Sequence, residues 1–559
     1  MSARAFVLLA VLTCPLFAQQ SAPASGETIE VSIINVDVVV TDRKGNRVYG
    51  LTRDDFAIRE NGVPQTITNF AGYAPQAKHA DGTVAVDRSS ASPEPVAAPT
   101  AKRTIVLFIE IAPQPSERIR EVFSSLRDFV RKAVRPGDSA TVVVFEERMT
   151  TRQTFTGDTD ELAAALTAIE GESIEVALRR GDEVRRGLAS DIAMDASLAS
   201  ASKSVRQGLN VGEHERRSEE LFELIELRTK AAALTSVMES MSGVEGKKIM
   251  VAALDRFGLR LGLPQGSGPI SSDPQVEAVR QTVMRSANAN GVTLYPIYVP
   301  GLQYTNAPDV LDAPGIGMDS SVAEGRAGEN NAMLMNQTAS LFQIAEETGG
   351  LMAAGPSDIV DLLPHIVDDL ESYYSLAYRA SGADGARKVR VTTKNGNYEV
   401  RSRRAVLEKS DDTQMNDRVV SNLFQLIENS VIPIEADLGQ ITRKAKNLWS
   451  VPVSVRIPIG ALTTNMESEA ATGSFSVFIG SGSDLGVISD VTQRSQSYSI
   501  GHDKLEAARE SHFTYDVTVD VDTRASVISV GVRDDVSKEF GMVRIPLPPH
   551  EGKANPATP

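Results

Sequence analysis

The chain reads as an α/β protein whose doubly wound, mostly parallel sheet is inserted in, or flanked by, all-β sandwich modules. Three observations lead there. The stretch Lys102–Phe155 runs strand, loop, helix, turn, strand, which is a βαβ crossover and therefore the start of a parallel sheet. Before it, Glu30–Thr41 alternates apolar and polar residues through Val31, Ile33, Val36, Val38 and Val40. Far downstream, Phe513, Tyr515, Val517, Val519 and Val521 repeat that period of two, the mark of a half-buried antiparallel strand. A chain of 559 residues is too long for one ordinary core, and three domains are expected.

The N-terminus, MSARAFVLLAVLTCPLFAQQ, places Arg4 before an apolar run and small residues up to Ala18. It predicts a secretory signal peptide over residues 1–18, with cleavage after Ala18. Acylation of Cys14, as in a lipoprotein, is the competing reading, and Thr13 and Pro15 flank that cysteine poorly for it. Cys14 is the sole cysteine, so a chain cut at Ala18 is held together by burial without disulfides. No later stretch reaches transmembrane length. The expected location is exported, either periplasmic or extracellular. A net charge of −16 argues against nucleic acid and anionic membrane as partners.

Residues 27–75 carry short strands with turns at Asp42-Arg43-Lys44-Gly45-Asn46 and Asn61-Gly62, an all-β pattern. Residues 76–101, rich in Ala, Ser and Pro, predict a linker. In the unit that follows, Thr104–Ile109 and Ala140–Phe145 are continuous apolar runs, as expected of strands buried on both faces. Between them Ile119, Val122, Phe123, Leu126, Phe129, Val130 and Val134 form a helical stripe that Arg135-Pro136-Gly137-Asp138 terminates. Ile249–Leu254 and Val292–Val299 are the next strands, Pro274–Ala289 the helix between them, and Ala339–Thr348 a helix before a last strand at Gly349–Met352. A final helix over Ile359–Ser372 contains Pro364, which should kink it or mark its first turn. Leu221–Met238 has a helical stripe, Ala193–Asn210 is left unassigned, and Gly262–Asp273 and Leu302–Ala327 read as loops on the rim beyond the strand ends.

Tyr373–Tyr378, Arg387–Thr392 and Tyr398–Arg401 read as three more strands. Residues 27–75 are too few for a stable sandwich, and the expectation is that residues 371–408 complete it, with residues 102–370 inserted between. Residues 419–547 open with a helix at Val419–Ile427. Strands follow at Trp449–Ile457, Ser474–Ile479, Tyr498–Ile500, His512–Val521, Ser526–Val532 and Gly541–Ile545, predicting an Ig-like C-terminal sandwich.

Two regions carry a family resemblance. Lys102–Phe155 resembles the opening of a von Willebrand factor A domain, and VVVTDRKGNRVYGLTRDDFAIRENGVPQTITNF resembles the N-terminal segment of the VWFA-related proteins of acidobacterial type. The resemblance implies a vWA, Rossmann-like fold for residues 102–370 and binding of a protein or surface ligand at the sheet rim. It also implies a divalent-ion site. Family members end the first strand in Asp-x-Ser-x-Ser, and the matching positions here are Glu110, Ile111, Ala112, Pro113 and Gln114. Asp255 stands at the position of the family's second carboxylate, and the middle-loop threonine has no match, since Thr154 and Thr156 are misplaced. Glu110 and Asp255 are thus the candidate metal ligands. Two carboxylates hold Mg²⁺ or Ca²⁺ when about four further oxygens join them; with both hydroxyl ligands replaced, the degenerate motif favours no cofactor. The other reading makes Glu110 and Asp255 hydrogen-bonded rim residues with Arg256 as counter-charge.

The sequence carries no recognised catalytic pattern. His79, His214, His365, His502, His512 and His550 are scattered with no HExxH, no Gly-x-Ser-x-Gly follows a strand, and the glycines after Gly258 lack a P-loop's Lys-Ser/Thr. Asp516, Asp520 and Asp522 lack a calcium loop and read as a solvated strand face. Arg179, Arg180, Arg185 and Arg186 lie among Glu172, Glu175, Asp182 and Glu183 and read as an exposed, salt-bridged helix. Tyr373, Tyr374 and Tyr378 read as packing. The expected function is a non-enzymatic interaction or adhesion module working without metal. Metal-dependent adhesion through Glu110 and Asp255, and a structural scaffold of an envelope complex, are the alternatives.

Overall fold

The computed structural model describes residues 33–73, 102–112, 116–146, 148–199, 211–255, 257, 274–300, 338–354, 356–380, 385–407, 409–427, 430–466, 470–483 and 488–548, with helical backbone alone at 180–199, 211–220 and 356–357. The expected signal peptide with Cys14, the expected linker 76–101, the segments expected to be rim loops, Pro113, Gln114, Arg256, His79 and His550 lie outside them. So do the side chains of His214, Arg180, Asp182, Glu183, Arg185 and Arg186.

The first flank supplies β1 (Ile33–Asp42), β2 (Phe56–Glu60), β3 (Val63–Gln65) and β4 (Ile67–Tyr73). The central unit follows with β5 (Arg103–Glu110), α1 (Ser116–Ala133), β6 (Ser139–Phe145), β7 (Met149–Thr156), α2 (Thr159–Ala199), α3 (Val211–Glu239), β8 (Lys247–Leu254), α4 (Pro274–Asn290), β9 (Val292–Tyr298), α5 (338–348) and α6 (Pro356–Glu371). The second flank adds β10 (Tyr373–Arg379), β11 (Ala386–Thr393), β12 (Tyr398–Ser402) and β13 (Ala405–Leu407).

The two flanks share two antiparallel sheets, ordered β12-β1-β10-β4 and β13-β11-β2-β3. Val36 lies opposite Leu376, Val38 opposite Ser402, and Ile58 opposite Val391. The apolar alternation of β1 turns Val36, Val38 and Val40 inward, where they meet Ile58, Tyr374, Leu376, Tyr378 and Val389 in one core. Neither flank alone is long enough to close that core.

The central sheet runs β7-β6-β5-β8-β9, with β6, β5, β8 and β9 parallel and β7 antiparallel at the edge. Helices cover both faces. Ile105, Leu107 and Ile109 of β5 face α1, α2 and α6, while Val106 and Phe108 face α3 and α4. Gly246 allows β8 to enter beside β5: its φ is +93°, and a Cβ there would lie 2.0 Å from the Lys102 carbonyl oxygen. The expected strand at Gly349–Met352 is a correction. Its neighbourhood makes only the parallel bridge Ile297↔Ala353, because the short run behind two glycines ends where α6 opens at Pro356. Pro364 lies inside α6, which continues through it with Leu362, Leu363, Ile366 and Leu370 buried.

The third region begins with α7 (Asp411–Phe424), two turns earlier than its apolar stripe predicts, because Ser410 caps it by accepting from the Thr413 N–H. Nine strands follow: β14 (Glu435–Leu438), β15 (Thr442–Ala445), β16 (Leu448–Pro458), β17 (Asn465–Met466), β18 (Ala470–Gly482), β19 (Thr492–Gly501), β20 (His512–Asp522), β21 (Val527–Asp534) and β22 (Phe540–Pro546), with a short helix α8 (Leu505–Arg509) before β20. In one sheet β16 lies between β20 and the pair β14 and β15; in the other β19, β18, β21 and β22 follow in order, and β17 extends the β18 edge. Val453, Val455, Phe475, Val477, Val521 and Val530 belong to the core between them.

Candidate functional site

The carboxyl ends of β5, β6 and β8 form the rim at which Glu110 and Asp255 were expected to meet, and they do meet. Glu110 is the last residue of β5, and its carboxylate accepts a hydrogen bond from the Asp255 backbone N–H at 2.9 Å. The remaining oxygen of Glu110 is taken by Lys230, whose Nζ lies 2.6 Å away. The side chains of Lys230 and Glu110 are 1% and 5% exposed. Lysine is almost never buried to this degree unless paired. Its neighbours on α3, Leu227, Ala231 and Leu234, are packed on the sheet, and this face of the helix carries the lysine stem inward.

Burial pushes the Glu110 carboxyl up, and the nearby Asp255 charge adds to that; the Lys230 ammonium and the Asp255 N–H oppose both. Lys230 is a counter-charge at the rim; the expected Arg256 lies outside the described residues. Sequence reading missed Lys230 because α3 is charged along much of its length, and a lysine in ELRTKAAAL looks solvent-facing. The signal was its place among Leu227, Ala231 and Leu234, on the buried stripe.

The residues present do not fit a divalent ion. One carboxylate has both oxygens engaged by N–H donors, Ala112 has no ligand atom in its side chain, and Ile111 is buried with its N–H donated to the Phe145 carbonyl at 2.8 Å. Among the described residues, that set does not supply an octahedral or larger shell of oxygens. Among the described residues no group of three or more His, Cys, Asp or Glu is placed to hold a metal ion.

Above the rim the chain overhangs. Strand β7 descends from Met149, opposite Phe145, to Thr156, opposite Ala140, so α2 starts at the far edge of the sheet and climbs. Its 41 residues span about 60 Å, against about 23 Å for β6. Helix α3 returns, and the part of it that precedes Lys230 runs for roughly 28 Å. On the stretch of α3 nearest the rim, Leu221, Phe222 and Ile225 are 59%, 72% and 50% exposed.

The other residues singled out in the sequence are structural. Asp520 pairs with Lys444, and Asp522 binds Arg524. Arg179 lies 4.0 Å from Glu175, and Arg152 pairs with Glu172. Tyr374 donates to the Val48 carbonyl at 2.9 Å, and Tyr373 stacks on Tyr73. At the edge of the central sheet opposite the rim, Asp369 of α6 joins the unit to the sandwich. It receives both guanidinium nitrogens of Arg401 at 2.8 Å, the Tyr295 hydroxyl at 2.7 Å, and Arg47. Lys247 donates to its backbone carbonyl and lies 3.8 Å from the Tyr373 ring centroid.

No family model and no curated protein matches the chain. Similar solved structures include proximal thread matrix protein 1 from the mussel byssus (12% identity, TM-score 0.21, 48% of each chain). The conserved hypothetical protein BatB from Bacteroides thetaiotaomicron is another (11%, 0.23, 48% of this chain and 98% of that one). A mutant of the PilB minor pilin from Streptococcus sanguinis is a third (9%, 0.26, 48% and 62%). This chain thus spans about half the length of the mussel protein, one structure of which has a zinc-occupied MIDAS motif. At these TM-scores the likenesses carry nothing over to the site.

Proposed function

We propose that the protein is an exported, non-enzymatic binding module of von Willebrand factor A type, which takes a protein or surface ligand at the rim of its doubly wound sheet without a divalent ion. The observation that carries this reading is the exposed apolar trio Leu221, Phe222 and Ile225 on the overhang of α3, beside the rim. Contiguous apolar side chains exposed to water mark interaction sites or ligand-binding grooves. Metal-dependent adhesion through Glu110 and Asp255 is disfavoured by the Lys230 ammonium on Glu110. The scaffold reading draws support from the Asp369 junction, which ties the central unit to the sandwich.

Capture from envelope extract by the immobilised protein tests the reading, run with wild type and Phe222→Asp, each with and without EDTA. The expected result is a set of captured proteins unchanged by EDTA and reduced at least about tenfold by the substitution, since burying an unpaired charge at an interface centre is costly. Capture that ignores Phe222→Asp and vanishes with EDTA would replace the reading by metal-dependent adhesion. Capture indifferent to both would leave the scaffold reading in its place.

A further inference from the structure

We infer that Lys230 is a tethered cation occupying the carboxylate site of the rim, so that this site is built for an alkylammonium supplied by the chain itself and not for a divalent metal. The inference stands on the geometry of Glu110 and is independent of whether the rim binds a partner.

The donor set favours an ammonium. A Mg²⁺ or Ca²⁺ shell needs six or more oxygens, and each added carboxylate raises its affinity. Beside Glu110, Ala112 offers no side-chain oxygen, so the ligand number is low. A singly charged ammonium, which asks for a few directed acceptors, suits the poorer set. The contacts agree: Lys230 Nζ lies 2.6 Å from one oxygen of Glu110, while the other accepts from the Asp255 N–H at 2.9 Å. That N–H engages the second Glu110 oxygen and cannot itself act as a metal ligand.

The tether has a functional consequence. A metal leaves the site when its free concentration falls, whereas a lysine whose stem is packed among Leu227, Ala231 and Leu234 stays at a fixed local concentration. The rim is therefore indifferent to ambient calcium and magnesium. Because Lys230 is 1% exposed, its charge cannot reach a carboxylate on a partner. Recognition by a metal-bridged acidic residue is replaced by contacts elsewhere on the rim.

The test removes the tether and offers the cation back. Lys230→Ala leaves a cavity three methylenes and an ammonium long beside Glu110. Thermal midpoints are measured for wild type, Lys230→Ala and Lys230→Met in n-propylammonium, sodium, Mg²⁺, Ca²⁺ and Mn²⁺ chlorides at matched ionic strength. The expected result is a lowered midpoint for Lys230→Ala that n-propylammonium alone raises, with no such response in wild type or in Lys230→Met, whose side chain fills the space. If Lys230→Ala does not fold, the set Glu110→Gln, Lys230→Met and the double variant decides. A tethered cation requires the double variant to be more stable than the sum of the single effects. Rescue of Lys230→Ala by a divalent ion in place of the amine would overturn the inference, as would additive effects in the double variant.

Discussion

At the junction between the central unit and the sandwich, Asp369 has no exposed side-chain surface and is surrounded by Arg401, Arg47, Tyr295 and Lys247. Burial opposes its ionisation, but the Arg401 guanidinium, with Arg47 and Lys247, outweighs burial and holds the carboxyl at about 2, against an ordinary value of 3.8. A depressed carboxylate contributes its stability in full above the unfolded pKa and loses it as pH falls through the folded one. The contribution, about 2 kcal/mol, is therefore expected to be complete above about pH 4 and to fade toward pH 2. Urea titrations of wild type and Asp369→Asn across that range check it; parallel pH profiles would contradict it. Asp369→Ala, which leaves Arg401 and Arg47 facing a void, is expected to cost about 3–5 kcal/mol at neutral pH. At this scale the sequence was legible only in part. The pairing of Glu110 with Asp255 could be anticipated because each ends an apolar strand. Lys230 could not, since it sits on a helix charged along much of its length, and Asp369 could not, since Arg401 and Arg47 lie on the flanking sandwich.

At the scale of elements, strong periodicity is legible in the sequence, and boundaries set by polar ends are not. The buried runs of β5, β6, β8 and β9 announce themselves because both faces are covered. Helix α7 shows the opposite case. Its apolar stripe reads from Val419, but its start is set by the polar cap Ser410 followed by Asp411 and Asp412, which favour the positive end of the helix dipole. Ser410→Ala is expected to cost about 1 kcal/mol in thermal denaturation, with the loss confined to the third region and α7. An unchanged midpoint would show that Met415 and Val419, packed on Phe478 and Phe540, define the helix without the cap. Strand β7 was missed because its wording, MTTRQTFT, is polar; it pairs along one edge of the sheet, where a polar outer face is tolerated.

The whole molecule is organised by a strand order that crosses the central unit. Strand β1 is hydrogen-bonded on both sides by strands more than three hundred residues later in the chain, β10 and β12. A fragment ending at residue 370 loses both neighbours of β1 and the partner of β4. Hydrogen exchange of that fragment should show residues 33–73 unprotected while β5, β6 and β8 remain protected. Protection retained in residues 33–73 would mean that the first flank closes a core alone. That long-range pairing was legible because a short all-β segment needs a partner, and only one later set of unassigned strands lay beyond the helices. The overhang of α2 and α3 was not, since it follows from where β7 ends and from the length of α2, and neither leaves a periodic signal. The same molecule thus offers two ends: an edge fixed to the sandwich through Asp369, and a rim filled by Lys230 and overhung by Phe222.

Calorimetric titration of Mg²⁺, Ca²⁺ and Mn²⁺ into the wild-type protein, beside a Glu110→Ala, Asp255→Ala double variant, tests the ion-free rim most directly. The account expects no saturable heat in the wild type that the double variant lacks. Stoichiometric binding in the wild type that disappears in the double variant would contradict it and make the rim a metal site.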